Sequence, residues 1–378
     1  MKKMNSKLKV ITLFGTRPEI IRLSRIINKF DKCFHNIVVN TNQNFSYELN
    51  EIFFKDLNLR KPNYSFKKSS SNIISKISEM LKEFDKICSK ENPDACILLG
   101  DTNTSLLSYV CKRHKIPIFH IEGGNRSYDI RVPEEINRKI VDHLSDINLT
   151  YSQISKSNLL RENLNPDRVI VIGSPLKEVF YFYKKKISDS KILKKLKLKE
   201  NKYFLVSFHR EENIENKENF QNFIKFLSFL DTEFNLPVIV STHYRLQYKF
   251  ENQTKKYKFK NINFMKPFSY TDYCKLQLCS KLIFSDSGSL TEETSIMKLK
   301  SINIRDSQER HEGFEQGIVP LTGLNLDLIK NAISYLLSSE FQIIPISDYE
   351  NGANTSSKLV TIVISFIDQV NKKDWFKK

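Results

Sequence analysis

The sequence predicts an α/β protein made of two doubly wound, Rossmann-like domains that face a cleft. Three observations carry this. Short apolar runs rich in Val, Ile, Leu or Phe recur along the chain, with amphipathic stretches between them; strands alternating with helices imply parallel βαβ units. The rhythm stops in a lysine-rich segment at 184–200 and then restarts. The 378 residues suit two domains, each of roughly 150 residues.

The elements follow in order. The opening MKKMNSKLKVITLFGTRPE begins basic, as a signal peptide would. Its apolar core, Val10 to Phe14, is short, and Arg17 and Glu19 follow at once. Residues 9–14 therefore read as a buried strand, and the expected compartment is the cytoplasm. Further strands are predicted at 36–40, 95–99, 116–121, 147–150 and 169–172, with amphipathic helices at 72–88 and 134–145. Residues 184–200 read as a solvated linker and helix face. A second set of strands is expected at 203–207, 237–241, 261–265, 282–285 and 300–304. The last helical stretch, 357–375, is long enough to return to the first domain. The expected boundaries are 1–184, 185–356 and a returning helix at 357–378.

Composition excludes several classes. No apolar stretch reaches the ~18 residues that span a bilayer. The six cysteines show neither a CxxC pair nor zinc-ligand spacing beside a histidine, so they read as reduced thiols. The net charge of +17 is spread along the chain, without an arginine-rich arm or a basic–aromatic RNA motif. Neither nucleic acid nor a membrane is expected as a partner. GxxxxGK[ST] is missing, and no GxGxxG follows the first strand, which disfavours ATP hydrolysis and NAD chemistry.

The unusual polar residues cluster just after predicted strands, where a doubly wound fold binds its ligands. Gly15-Thr16-Arg17-Pro18-Glu19 follows the first strand. Gly15 permits a tight turn, Pro18 suits the first helical position, and Arg17 and Arg22 add positive charge at a helix start. A capped helix with a surface arginine reads equally well. Asp101, in Gly100-Asp101-Thr102-Asn103, fits either a helix N-cap or an acid–base group. Glu122 ends an apolar strand before two glycines, where a carboxylate is costly to bury unless it is paired or working. Glu134 lies in the acidic first turn of a helix opened by Pro133, which the helix dipole alone would explain. His209, Arg210 and His243 follow strands of the second domain; each histidine fits a structural role as well as a catalytic one. Asp286-Ser287-Gly288-Ser289 ends a strand and opens a helix, an arrangement that cradles a diphosphate with backbone N–H groups and hydroxyls. Glu292 and Glu293 lie within reach of a ribose, with Arg305 and Arg310 beyond.

Taken together, GTRPE at 15–19, GDT at 100–102, HIEGGNR at 120–126, PEEINR at 133–138, HREEN at 209–213, DSGSLTEE at 286–293 and ERHEG at 309–313 closely resemble the non-hydrolysing UDP-N-acetylglucosamine 2-epimerase family. The resemblance implies a fold like that of the B-type glycosyltransferases, a homodimer, a UDP-sugar substrate, no cofactor and no metal. It places Asp101, Glu122 and Glu134 among the acid–base residues, with His209 near the diphosphate. It also implies substrate contacts from Arg17, Arg22, Arg210, His243, Ser287, Gly288, Ser289, Glu293 and Arg310, and an allosteric place for Gln43. GTRPEIIRLSR at 15–25, YELNEIFFKDL at 47–57 and RVPEEINRKIVDH at 131–143 are similar to the branch that makes UDP-N-acetyl-L-fucosamine from UDP-2-acetamido-2,6-dideoxy-L-talose. Where the wider family has Lys and a second Gly, this chain has Arg22 and Ser289, and the segment from Glu122 to Pro133 is shorter. Two alternatives stand beside this reading: the UDP-GlcNAc/UDP-ManNAc 2-epimerase reaction, and a UDP-sugar glycosyltransferase of the same fold.

Overall fold

A computed structural model describes residues 7–43, 47–67, 72–208, 216–242 and 259–377. The chain divides into two compact units. Unit 1 comprises residues 1–181 and 347–378, and unit 2 residues 182–346.

Unit 1 holds a seven-stranded, all-parallel sheet. Its strands are β1 (Lys9–Phe14), β2 (His35–Asn40), β3 (Tyr64–Ser65), β4 (Ala95–Leu99), β5 (Ile118–Ile121), β6 (Ile147–Thr150) and β7 (Val169–Val171). The order across the sheet is β3-β2-β1-β4-β5-β6-β7. Strand register runs Val10 opposite Ala95 and Leu99 opposite Ile121. The strands read as nearly continuous apolar runs because helices cover both faces. On one face Ile11, Leu13, Val39, Cys96 and Leu98 pack with Met80, Phe84 and Ile87 of the helix Ile73–Glu91. The C-terminal helix Thr355–Lys373 packs on Arg17–Cys33, the first helix of the same unit.

Unit 2 holds five parallel strands: β8 (Phe204–Phe208), β9 (Val238–Thr242), β10 (Ile262–Met265), β11 (Leu282–Ser285) and β12 (Ser301–Asn303). Their order is β10-β9-β8-β11-β12. The core is aromatic. Phe208 stacks on Phe223 with ring centroids 3.9 Å apart, and Phe226 meets Phe284 at 4.9 Å. The lysines at 184–186 lie in the helix Pro175–Ser188, so this part of the charged segment is a helix face.

In each sheet the strand order reverses direction once, between β1 and β4 and between β8 and β11. At such a switch point the crossover connections leave in opposite directions, which opens a crevice at the carboxyl ends of the strands. The turns after β1, β4 and β11 are the polar clusters singled out from the sequence. Among the described residues no helix is long and apolar enough to cross a membrane.

Candidate active site

The turn after β1 is built around Glu19. Thr16 caps the helix Arg17–Cys33, and the Glu19 carboxylate reaches back to accept the N–H groups of Gly15 at 2.5 Å and Thr16 at 3.1 Å, a capping-box arrangement. Arg17 is the first helical residue and Pro18 the second, one place later than expected. The hydroxyl of Thr102, from the turn after β4, donates to the other Glu19 oxygen at 2.6 Å. Glu19 therefore bridges the two switch-point turns. It is buried, and that burial pushes its carboxyl up to about 7 against the three hydrogen bonds, with the charge of Asp101 adding to the effect. Nothing in the sequence marks Glu19 for this role, because a glutamate three residues after a threonine cap is ordinary helix punctuation.

A Cβ on Gly15 would collide with the Thr41 and Thr104 hydroxyls and lie 2.9 Å from Nε2 of Gln43. Gln43 donates to Thr102 Oγ1 at 3.2 Å and also to Thr104. This places Gln43 inside the same cluster of turns, beside Glu19's partner.

Asp101 caps no helix: Thr102 caps the short 3-10 turn at Asn103–Leu107. The Asp101 carboxylate instead accepts Arg138 Nε at 2.6 Å, and its carbonyl accepts Asn137 Nδ2 at 2.9 Å. Arg138 is buried and also pairs with Glu135 at 2.7 Å. Both partners project from the helix Pro133–Leu144, whose first turn carries the half-buried Glu134.

Glu122 sits at the end of β5 with φ of +75°. A non-glycine residue in that region costs about 1–3 kcal/mol and persists only where its surroundings enforce it. Here Tyr151 O–H donates to Glu122 Oε2 at 3.2 Å, Asn125 Nδ2 donates to Oε1 at 3.2 Å, and Arg22 Nε lies 3.9 Å from Oε2. Tyr151 and Arg22 are themselves buried. The Glu122 carboxylate comes within 3.9 Å of the place a Gly100 Cβ would occupy. The turns carrying Asp101 and Glu122 are thus neighbours. Arg17 is half-buried, its guanidinium 5.9 Å from the Phe53 ring centroid.

In unit 2, Ser289 stands at the position that opens the helix Leu290–Met297. The Ser287 and Ser289 hydroxyls are 2.9 Å apart, and Ser289 donates to Glu293 at 2.8 Å. Gln277 holds the other Glu293 oxygen at 2.6 Å. A Cβ on Gly288 would strike the Glu309 carboxylate, so glycine alone lets this loop lie against the 309–313 segment. Arg310 is buried and pairs with Glu292 at 2.7 Å and Glu309 at 3.0 Å; Arg305 holds the second Glu309 oxygen. Glu292, fully buried against Arg310, does not reach out to a ribose as expected. Glu293 is the carboxylate that remains half-buried beside the loop. His209, Arg210 and His243 lie outside the described residues.

Unit 1 thus carries paired and bridged carboxylates at one switch point, and unit 2 a serine–glycine–serine helix start at the other. The family profile described as UDP-N-acetylglucosamine 2-epimerase matches residues 28–364. The chain belongs to this family. As a member it is an isomerase, a UDP-sugar 2-epimerase of the non-hydrolysing kind. A structure of UDP-N-acetylglucosamine 2-epimerase from Rickettsia bellii is 40% identical, with a TM-score of 0.92 over 98% of this chain and 100% of that one. The Methanocaldococcus jannaschii UDP-GlcNAc 2-epimerase, solved in complex with UDP-GlcNAc and UDP, is 32% identical, with a TM-score of 0.87 over 95% of this chain and 100% of that one. By sequence, a UDP-N-acetylglucosamine 2-epimerase of the same organism is 34% identical over 349 residues, 88% of this chain and 93% of the relative. The two parallel-sheet, Rossmann-like units are those of the B-type glycosyltransferase-like fold that the family resemblance implies.

Proposed function

We propose that this epimerase inverts carbon 2 by elimination and re-addition of UDP, and that its pair is UDP-2-acetamido-2,6-dideoxy-L-talose and UDP-N-acetyl-L-fucosamine. The observation that carries the chemistry is Glu122, held at φ +75° beside the Gly100–Asp101 turn. A carboxylate placed at such cost, next to a second one gripped by Arg138, suits a proton transfer that needs fixed geometry.

In the forward direction the bond from carbon 1 to the diphosphate oxygen breaks, and UDP leaves with the electron pair. A carboxylate takes the proton from carbon 2, and the 2-acetamidoglycal forms. Re-addition runs the steps backwards, with a proton delivered to the other face. Asp101, Glu122 and Glu134 supply the acid–base groups in this reading, and His209 serves the diphosphate at carbon 1. Positioned acid–base groups contribute about 10²–10⁴-fold each. The larger share falls to electrostatic stabilisation of the departing diphosphate. Arg17, Arg22, Arg210, His243 and the Ser287–Gly288–Ser289 helix start serve that purpose, with Glu293 for the ribose and Arg310 as the charge behind Gly288. Gln43 keeps a proposed regulatory place through its contact with Thr102.

Two features support the L-fucosamine branch over the wider family. Arg22 stands 3.9 Å from Glu122 where the family has lysine, and a guanidinium offers a fixed fork rather than a point charge. Ser289 adds a hydroxyl next to Ser287 where the family has a second glycine. The second reading is the UDP-GlcNAc/UDP-ManNAc pair, favoured by the substrate in the names of the relatives. We read the enzyme as a homodimer: Ile136 and Ile140 share a face of the helix Pro133–Leu144 and stay exposed, with Tyr109 and Ile130 also exposed in unit 1. The six free thiols suit a cytoplasmic enzyme.

Proton NMR of the products from a panel of UDP-2-acetamido sugars tests the substrate. Conversion of the 6-deoxy-L-talo compound and not of UDP-GlcNAc is expected. Conversion of UDP-GlcNAc alone selects the second reading, and turnover only with an added acceptor selects a glycosyltransferase.

A further inference from the structure

His120 is buried on β5, two residues before Glu122, and among the described residues its hydrogen-bond partners are acceptors. Its Nε2 lies 2.9 Å from the Gly100 carbonyl oxygen. Its Nδ1 lies 2.9 Å from an Asp142 carboxylate oxygen and 3.3 Å from Asn148 Oδ1. A carbonyl only accepts, so Nε2 carries a hydrogen. The Asn148 amide is oriented by its Nδ2, which donates to the Asp142 carbonyl at 2.9 Å, so its oxygen faces the ring. Asp142 is an anion: Arg126 donates to it at 2.6 Å, and the Gly124 N–H at 3.2 Å. Were Nδ1 bare, a lone pair would face two buried acceptors with no proton between them, which is costly in a low-dielectric interior.

We infer that His120 is a doubly protonated positioning residue whose two N–H groups clamp the Gly100–Asp101 turn to the Asp142–Arg126 pair, which also holds the Gly124 N–H in the turn after Glu122. The inference rests on the reading of Asp101 and Glu122 as acid–base groups. Through Gly100 the imidazolium sets the peptide that precedes Asp101, and along the strand it lies two residues before Glu122. With Asp142 ionised beside it, the imidazolium holds the Gly100 carbonyl through a charged hydrogen bond rather than a neutral one.

The charged neighbours support this state. Asp142, from the helix Pro133–Leu144, faces both His120 and Arg126. Glu162 holds the other edge of Arg126 at 2.7 Å and meets the exposed His143 at 3.1 Å. The cluster thus offsets two buried cations with two carboxylates. Burial pushes the His120 imidazole down, but the Asp142 hydrogen bond and charge, with Gly100 and Asn148, carry it above the ordinary histidine value. Burial pushes the Asp142 carboxyl up, but the hydrogen bonds and charges of His120 and Arg126 hold it below the usual carboxylate range.

The test has two arms on the full-length enzyme. In ¹⁵N-histidine protein at pH 7, one ring of the seven histidines, assigned by its loss in His120→Gln, should show two protonated nitrogens. A neutral tautomer overturns the proposal. In the second arm, His120→Gln keeps a donor for Gly100 but no charge. Loss of a charged hydrogen bond predicts a fall in kcat of about 10–100-fold with little change in KM. The alkaline fall of wild-type kcat should follow the His120 titration and vanish in the variant. Wild-type kcat and pH profile in His120→Gln overturn the positioning role. If that variant does not fold, the His120 ring is assigned in the wild type by through-space contacts to Gly100 and Asp142, and an alkaline limb that fails to track its titration does the same. Deuterium exchange at carbon 2 by the wild type separates the readings: its absence removes the epimerase mechanism, while the ring nitrogens still decide the charge.

Discussion

Replacing Glu19 with glutamine should remove a specific pH dependence from the stability of unit 1. Glutamine keeps the shape and an oxygen for the Gly15 and Thr16 N–H groups but cannot ionise. The carboxyl stands at about 7 in the folded chain against an ordinary 4.5. Between those values the folded protein holds a proton that the unfolded chain has released. Stabilisation from the protonated group is therefore complete below about 4.5 and fades as the pH rises through about 7. The difference corresponds to about 3 kcal/mol in all, of which about 2.5 kcal/mol is lost between pH 5 and pH 8. Trp375 is the chain's one tryptophan and lies in unit 1, with Lys112 5.1 Å from its ring centroid. Its fluorescence during urea unfolding at several pH values thus reports the unit that carries Glu19. The gap in stability between wild type and Glu19→Gln should shift by about 2.5 kcal/mol in favour of the variant from pH 5 to pH 8. Parallel pH curves for the two proteins would refute the buried, proton-holding carboxyl.

Other outcomes follow from the same geometry. Asp101→Asn should retain its fold, because Arg138 keeps its pairing with Glu135, and lose about 100-fold or more in kcat, read by coupled product analysis. Glu122→Gln preserves the shape that Tyr151 and Asn125 grip and should lose turnover on the same scale; full activity in either variant removes that residue from the chemistry. Gly15→Ala drives a methyl into the buried Thr41 and Thr104 side chains and should lower stability by about 1–3 kcal/mol, measured by the same unfolding assay.

Much of the fold was legible because each strand is a buried apolar run closed by turn residues. Strands at Lys9–Phe14, Ala95–Leu99, Ile147–Thr150 and Leu282–Ser285 match the apolar runs residue for residue. The edge strand Tyr64–Ser65 went unread, since two residues carry no periodicity. The polar motifs were legible by position, directly after strands. Their partners were not, because these arrive from distant sequence. Arg138 reaches Asp101 across 37 residues, Tyr151 reaches Glu122 across 29, and Thr102 reaches Glu19 across 83. Glu19 and His120 lie inside the GTRPE and HIEGGNR motifs, yet a capping glutamate and a strand histidine are commonplace in sequence, and only burial and partners set these two apart. The same holds for Glu292, whose spacing suited a ribose until its buried pairing with Arg310 was seen.

The account rests on proton exchange at carbon 2, and turnover in deuterium oxide measures it directly. With a UDP-2-acetamido sugar as the sole substrate, the epimerised product should carry deuterium at carbon 2 and nowhere else on the ring. Epimerised product that retains its original hydrogen there would contradict elimination and re-addition.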